Sequence, residues 1–128
     1  MAFITAAKIE AISQAKDPKQ AIIDAVGDLS KESILWDLVL VGTYIRPEMT
    51  KGGIIRPKEN VAEDAYQGKA GVILKFGEGV DNIWNLQEGD WIAYSIKDGM
   101  SVTLNETPCR LISYEKIRMK VSDPNMVF

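Results

Sequence analysis

The chain has 128 residues, 46% hydrophobic and 26% charged, with a formal net charge of −3. That is the composition of one compact domain with a small core, of a size that often gains from oligomerisation. The acidic balance, without a basic run interleaved with aromatics, argues against nucleic acid, and apolar runs such as Leu38 to Val41 are far too short to span a membrane.

The N-terminus lacks the basic-then-apolar layout of a secretion signal. Residues 3–16 carry an apolar stripe, Ile4, Ala7, Ile9, Ile12 and Ala15, at helical spacing. Its polar face is not rich in basic residues, so packing on protein is expected rather than on a lipid surface. Asp17-Pro18 reads as an N-cap followed by proline at the first helical position. Ile22, Ile23 and Val26 form the next apolar face, and Gly27 is a natural stop. Two short helices, 3–16 and 18–26, are therefore expected, with 28–33 as a linker. Residues 1–33 form an N-terminal helical extension, and residues 34–128 form the main domain.

From Ile34 the pattern turns to β. The run from Ile34 to Val41 is apolar on nearly both faces and predicts a strand covered on both sides. A long polar loop follows, about 46–66, fenced by Pro47 and Pro57 and loosened by Gly52-Gly53. It carries Ile54 and Ile55 side by side among charges. They read equally as a docking anchor or as residues folded inward beneath a wide hairpin. Lys69 to Phe76 alternates, with Ala70, Val72, Leu74 and Phe76 on one face. Gly77-Glu78-Gly79 is a turn, and Ile83, Trp84 and Leu86 form an apolar patch in the next connection. Trp91 to Ile96 is the next strand, and Asp98-Gly99 is expected to close a hairpin onto Met100, Val102 and Leu104. Asn105 to Pro108 is another turn. Cys109 to Tyr114 and Lys116 to Val121 are the last strands. The expected class is mainly β, a small antiparallel barrel or sandwich.

Signals for catalysis are weak. The chain has no histidine, which removes the commonest acid–base group and the commonest transition-metal ligand. Its single cysteine, Cys109, cannot form an internal disulfide, fits a reducing compartment, and sits in an apolar strand as a buried thiol would. Gly77-x-Gly79 lacks the third glycine of a dinucleotide loop, since Asn82 stands there. No phosphate loop, zinc spacing or nucleophile-plus-base arrangement is present. No cofactor, metal or enzymatic activity is expected. Trp36, Trp84 and Trp91 read as core or interface aromatics.

The ordered set of motifs from Trp36 to Val121 resembles the GroES-type (chaperonin-10) co-chaperonins. Trp36-Asp37-Leu38-Val39-Leu40-Val41 resembles that family's opening strand. Gly52-Gly53-Ile54-Ile55 resembles the tip of its mobile loop. Gln67 to Gly77 is similar to the strand leaving the loop. Glu88-Gly89-Asp90-Trp91-Ile92 is similar to its glycine–aspartate turn into an apolar strand. Cys109 to Val121 resembles the closing strand pair, with Ser113 to Ile117 at the connecting turn.

The resemblance implies a GroES-like β-barrel and a ring, a heptamer, acting as a cytoplasmic lid on a GroEL-like chaperonin in its ATP-bound state. It implies chaperonin binding through Gly52, Gly53, Ile54, Ile55 and Arg56. It implies a subunit interface through Trp36, Leu38, Leu40, Ile117, Met119 and Val121, with the first strand pairing with a neighbour's last. Three departures stand out. Arg56 occupies the third place of a tripeptide that is commonly apolar in the family. The stretch from Gly77 to Gly89 is short for the usual roof hairpin, which is similar to virus-encoded members and implies a bacteriophage source acting in its host's cytoplasm. Residues 1–33 have no counterpart in the basic pattern. The alternative is a small β-barrel ligand- or peptide-binding module unrelated to chaperonins, which would be a monomer with an ordered loop.

Overall fold

The computed structural model describes residues 17–45 and 69–127. The helix expected from residue 18 is present as α1, Pro18–Val26. Its signals are local and act as they should. The Gln20 N–H donates to the Asp17 carboxylate at 3.2 Å, Pro18 fills the first turn, and Gly27 ends the helix at φ 86° with its N–H donating to the Ile23 carbonyl. The helix expected over 3–16 lies outside the described residues.

Six strands follow: β1 (Leu38–Thr43), β2 (Ala70–Phe76), β3 (Trp91–Ala93), β4 (Met100–Leu104), β5 (Thr107–Ser113) and β6 (Met119–Val121). They form one antiparallel sheet in the order β4-β5-β1-β2-β3-β6. The mainly β class is as expected.

β1 is central, and its two faces serve two clusters. Leu40 points into a cluster with Ile22, Val26, Ala70, Val72, Leu74, Trp91, Cys109 and Val121. Val39 and Val41 point into a second, with Ile73, Leu86, Ile92, Tyr94, Ile112 and Tyr114. The first cluster also gathers Val102 and Leu104 from one edge strand and Val121 from the other, so the sheet curls around it. The run that is apolar on both faces thus has an internal cause. Both backbone edges of β1 are also filled, by β2 and by β5. Within the chain, β1 therefore has both of its edges paired.

α1 belongs to the first cluster through Ile22 and Val26. Gly42 makes the room. A Cβ built at Gly42 would stand 2.3 Å from the Ile22 side chain, closer than any real contact, so the helix seats where the strand has no side chain. Beyond α1, residues 28–33 are held to β2 by Lys75, whose ammonium donates to the carbonyls of Leu29, at 2.7 Å, and of Glu32. The Ser30 amide and hydroxyl donate to Asp28 and hold its carboxyl below the usual range. Open clefts of about 460 and 380 Å³ flank this strap.

Four expectations are corrected. The first strand starts at Leu38, because Trp36 takes φ 58° and residues 36–37 form a turn. Phe76 leaves the face of Ala70, Val72 and Leu74, because the β1–β2 register shifts between Leu40 and Val41 and leaves Leu74 as the extra residue of a bulge. The strand from Trp91 ends at Ala93. Asp98-Gly99 does not close a β3–β4 hairpin, since β3 pairs with β2 and β6. The tight hairpin is β4–β5, turning at Asn105-Glu106 with φ 49° and 61°, the double left-handed pair of a type I′ turn. Asn105 also donates from Nδ2 to the Val26 carbonyl at the C-terminus of α1. Between Phe76 and Trp91 there is no strand, so the short connection carries no hairpin.

Gly42→Ala is expected to cost roughly 1–3 kcal/mol by overpacking, and Ile22→Ala roughly 2–5 kcal/mol by cavity formation. Because the new methyl and the old side chain compete for one space, the double variant should be more stable than the sum of the single losses allows. Denaturant melts of the four proteins measure that coupling, and strict additivity would sink the proposed seat.

Candidate functional site

The long loop leaves and rejoins the sheet at adjacent, firmly fixed points. On the outgoing side Thr43, Tyr44 and Ile45 are all buried. The Tyr44 N–H donates to the Ala70 carbonyl at 2.9 Å, and its ring meets Trp91 edge-on at 5.3 Å. On the returning side the Tyr94 N–H donates to the Lys69 carbonyl at 3.0 Å and its hydroxyl to the Ala70 carbonyl at 3.3 Å. Thr43 pairs with Gly71 directly. The stems are thus clamped side by side in a buried aromatic collar. Gly52, Gly53, Ile54, Ile55 and Arg56, and the loop expected at 46–66, lie outside the described residues.

The residues expected at a subunit interface are dispersed. Trp36 is exposed at the turn before β1, and Met119 is exposed on edge strand β6. Leu38 is half-buried at the start of β1. Ile117 is half-buried against the second cluster. Leu40 and Val121 are buried together in the first cluster. Only Trp36 and Met119 present most of their side chains outward.

A second surface feature lies next to Trp36. Ile83 and Trp84 are exposed. The sequence marked them as an apolar patch, but periodicity carried no sign of which way they face. Their loop is fixed by Tyr114. The Trp84 N–H donates to the Tyr114 hydroxyl at 2.9 Å, which donates to Asn82 Oδ1 at 2.7 Å. Asn82 closes its own turn, donating from Nδ2 to the Leu86 carbonyl at 2.6 Å and accepting from the Leu86 N–H at 2.9 Å. The Tyr114 N–H in turn donates to the Asp37 carbonyl at 2.8 Å. One tyrosine therefore ties the 82–86 loop to the turn that carries Trp36.

The buried polar groups serve the scaffold. The Arg110 guanidinium is buried. It donates to the carbonyls of Ile96 at 3.2 Å and Asp98 at 2.6 Å, reaches Ser101 Oγ at 3.4 Å, and lies 5.8 Å from the Tyr94 ring centre. It folds the 96–99 turn back onto β5, which is why that turn does not pair β3 with β4. Burial pushes the Tyr94 hydroxyl up to about 12, only partly offset by the Arg110 cation. Burial likewise raises the Cys109 thiol to about 12, so it is a packed thiol and a poor nucleophile at neutral pH. Among the described residues no group of acidic, cysteine or histidine side chains could hold a metal ion, and no helix is long and apolar enough to cross a membrane.

Compared with known protein families, residues 31–121 match the one described as the chaperonin 10 Kd subunit. The match agrees with the ordered motifs between Trp36 and Val121. No curated protein matches the chain.

Two outcomes follow from the buried groups. Tyr114→Phe should cost about 1 kcal/mol and should speed amide exchange at Trp84 before any other position in the 77–90 connection. Unchanged exchange there would sever the link to Asp37. The second outcome concerns alkaline pH. The unfolded chain releases the Cys109 proton near 9.0 and the Tyr94 proton near 10.0, whereas the folded chain holds both to about 12. The stabilisation is therefore complete below pH 9 and falls as pH rises toward 12. Melting temperature against pH reads it, and Tyr94→Phe should flatten the upper part of the fall.

Proposed function

The chain belongs to the chaperonin 10 kDa subunit family, and from that premise we propose that it is a ring-forming lid for an ATP-driven, GroEL-like chaperonin. The ring is a heptamer. Its loops, with Gly52-Gly53 as hinge and Ile54-Ile55 as anchor, dock on the chaperonin in its ATP-bound state, and the closed chamber holds a client protein. The lid carries out no chemistry, and nucleotide hydrolysis belongs to its partner. Its place of action is the cytoplasm. The hairpin-free connection between Phe76 and Trp91 supports a virus-encoded origin.

One observation carries the docking assignment. The loop is spliced between two stems that share adjacent positions on β1 and β2, fixed by Tyr44, Trp91 and Tyr94. A scaffold of this kind holds an anchor's point of departure while leaving the anchor to its partner. Ordering such a segment on binding costs free energy, so one loop binds weakly. Linking several in a ring raises the effective concentration of each and restores affinity, while each contact stays weak enough to release. Arg56 sets this anchor apart from an all-apolar one and calls for a groove that accepts a cation at its rim.

For the interface, the proposal rests on Trp36 and Met119, with Leu38 and Ile117 at their margins and with Leu40 and Val121 supporting them from the core. Residues 34–128 are proposed as the ring-forming domain and residues 1–33 as an added segment whose α1 docks on that domain.

Native mass spectrometry should show a heptamer, and a larger complex when chaperonin and ATP are added. Protease should cut between about Glu48 and Asn60 in the free ring and be blocked in the complex. Ile54→Ser with Ile55→Ser should abolish capping and leave the ring intact. Full capping by that double variant would overturn the docking assignment.

A further inference from the structure

The sheet ends in two edge strands, and only one of them is guarded. β6 is three residues long and carries Lys120 within it and Arg118 beside it. Shortness and charge are the usual means of keeping an edge from pairing with another chain. β4 has neither. Its five residues, Met-Ser-Val-Thr-Leu, hold no charge and no proline, and its pairing with β5 runs without a bulge. The outer edge of β4 pairs with no other strand among the described residues.

The register of the hairpin fixes which backbone groups face outward. β4 and β5 close on Leu104 and Thr107 around the two-residue turn Asn105-Glu106. In such a hairpin the closing pair exchanges both backbone hydrogen bonds, and so does every second pair beyond it. Leu104, Val102 and Met100 therefore turn their N–H and C=O groups toward β5. Pro108, which has no N–H, stands opposite Thr103, where this alternation needs none. The N–H and C=O groups of Ser101 and Thr103 are left pointing out of the edge.

The side chains at this edge are as unfinished as the backbone. Met100, Val102 and Leu104 alternate onto the face of the first cluster. Met100 is 58% exposed, and Val102, Leu104 and Leu111 are only half-buried against that cluster. The cleft of about 380 Å³ opens beside them, with Leu29, Ile34 and Leu40 also in its lining. A strand added to β4 would lay alternate side chains along this open flank.

We propose that β4 is a pairing edge and that its occupant is β4 of a second copy, joined antiparallel about a two-fold axis at Val102. The strand has the same pattern in both directions: apolar, polar, apolar, polar, apolar. Centred on Val102, the pairing sets Met100 opposite Leu104 of the second copy, Ser101 opposite its Thr103, and Val102 opposite its Val102. The outward groups of Ser101 then meet the outward groups of Thr103, and every one of them gains a partner. On the cluster face the two apolar rows become continuous, and such cross-strand pairs are stabilising. No charge within the strand opposes its own copy. The acids Asp98 and Glu106 approach only past the strand's ends, and Asp98 already lies 3.9 Å from Arg118. A surface that meets itself closes as a two-fold pair. One pair of five-residue strands covers less than the roughly 1,200–2,000 Å² of a stable interface, so the contact is weak and needs high concentration. It goes beyond the lid reading and stands without it: chains pair, and where rings form, rings pair.

Sedimentation of the full chain from about 1 μM to about 1 mM should show its mass doubling, whether the unit that doubles is a chain or a ring. Over the same range amide exchange should slow at Ser101 and Thr103, while Val102, bonded within the hairpin, is slow throughout. Thr103→Pro removes an outward N–H and no bond to β5. It should melt close to the parent and weaken pairing about tenfold or more. Cysteine substitution reads the register without depending on that variant. Directly opposite side chains lie about 4.5–5.5 Å apart at Cβ, so Val102→Cys should link two copies when oxidised glutathione is added. Met100→Cys, about 13 Å from its own copy in this register, should not. Met100→Cys mixed with Leu104→Cys should form the mixed dimer. A mass that stays constant to about 1 mM would overturn the pairing, as would an edge that only an added peptide protects. Equal linking through Met100→Cys and Val102→Cys would do the same, and so would undiminished doubling by a folded Thr103→Pro chain.

Discussion

The double burial of β1 is the constraint on which the rest of the structure depends. Val39 and Val41 serve one cluster and Leu40 the other, while β2 and β5 occupy the two backbone edges. Each of these side chains contributes about 1.5–3 kcal/mol by leaving water. The large apolar side chains that stay exposed, Leu35, Trp36, Ile83, Trp84 and Met119 among them, stand at the ends and edges of the sheet and not on its central strand. The same burial demands compensation at close approach. Gly42 and Gly71 sit where a Cβ would meet Ile22 in one case and Val41 in the other. Small residues at the centre thus let a helix lie on one face and a packed strand on the other.

The bulge at Leu74 shows how one extra residue redirects the chain around that centre. Without it, Lys75 would alternate onto the face of Ile73, where a cation would be buried among apolar side chains. With it, Leu74 and Lys75 both turn toward the α1 side. Leu74 joins the first cluster, and the ammonium reaches the strap carbonyls of Leu29 and Glu32. Those carbonyls lie past the end of α1, where no helical partner serves them. The strap, the helix and the central strand are therefore one mechanical unit. The family match starts at residue 31, yet Ile22 lies among the most buried side chains of the chain.

Features with local causes were legible in the sequence. Asp17, Pro18 and Gly27 set the limits of α1 within a few residues of themselves, and the alternation of Ala70, Val72 and Leu74 marked β2. The order of motifs from Trp36 to Val121 pointed to the family that residues 31–121 match. What escaped depends on distant partners. The turn at Asp98-Gly99 has hairpin chemistry, but Arg110 from β5 claims its carbonyls and swings the next strand away from β3. Asn105-Glu106 lacks the glycine that signals a type I′ turn, yet takes that form because Asn105 also serves the end of α1. Trp36 and Trp84 read as core or interface aromatics, and composition cannot choose between the two because it does not say which way a side chain points; the structure exposes both. Their outward direction is set by Gly79 and Tyr114, distant in sequence from one or both.

The separation of a rigid body from a docking loop has an energetic consequence under the proposed function. If one loop binds weakly because it must be ordered, its useful affinity comes from its neighbours in the ring. The contact between subunits then contributes to chaperonin binding without touching the chaperonin. Each increment of ring stability raises the share of chains whose loops act together. A rigid collar at Tyr44, Trp91 and Tyr94 serves the same end, since loops that leave their subunits at fixed points need less ordering to reach fixed grooves. A firm contact between subunits and clamped stems at the loop are, under that proposal, two means to one result. Both move the cost of order from the moment of docking to the folding of the subunit and the closing of the ring.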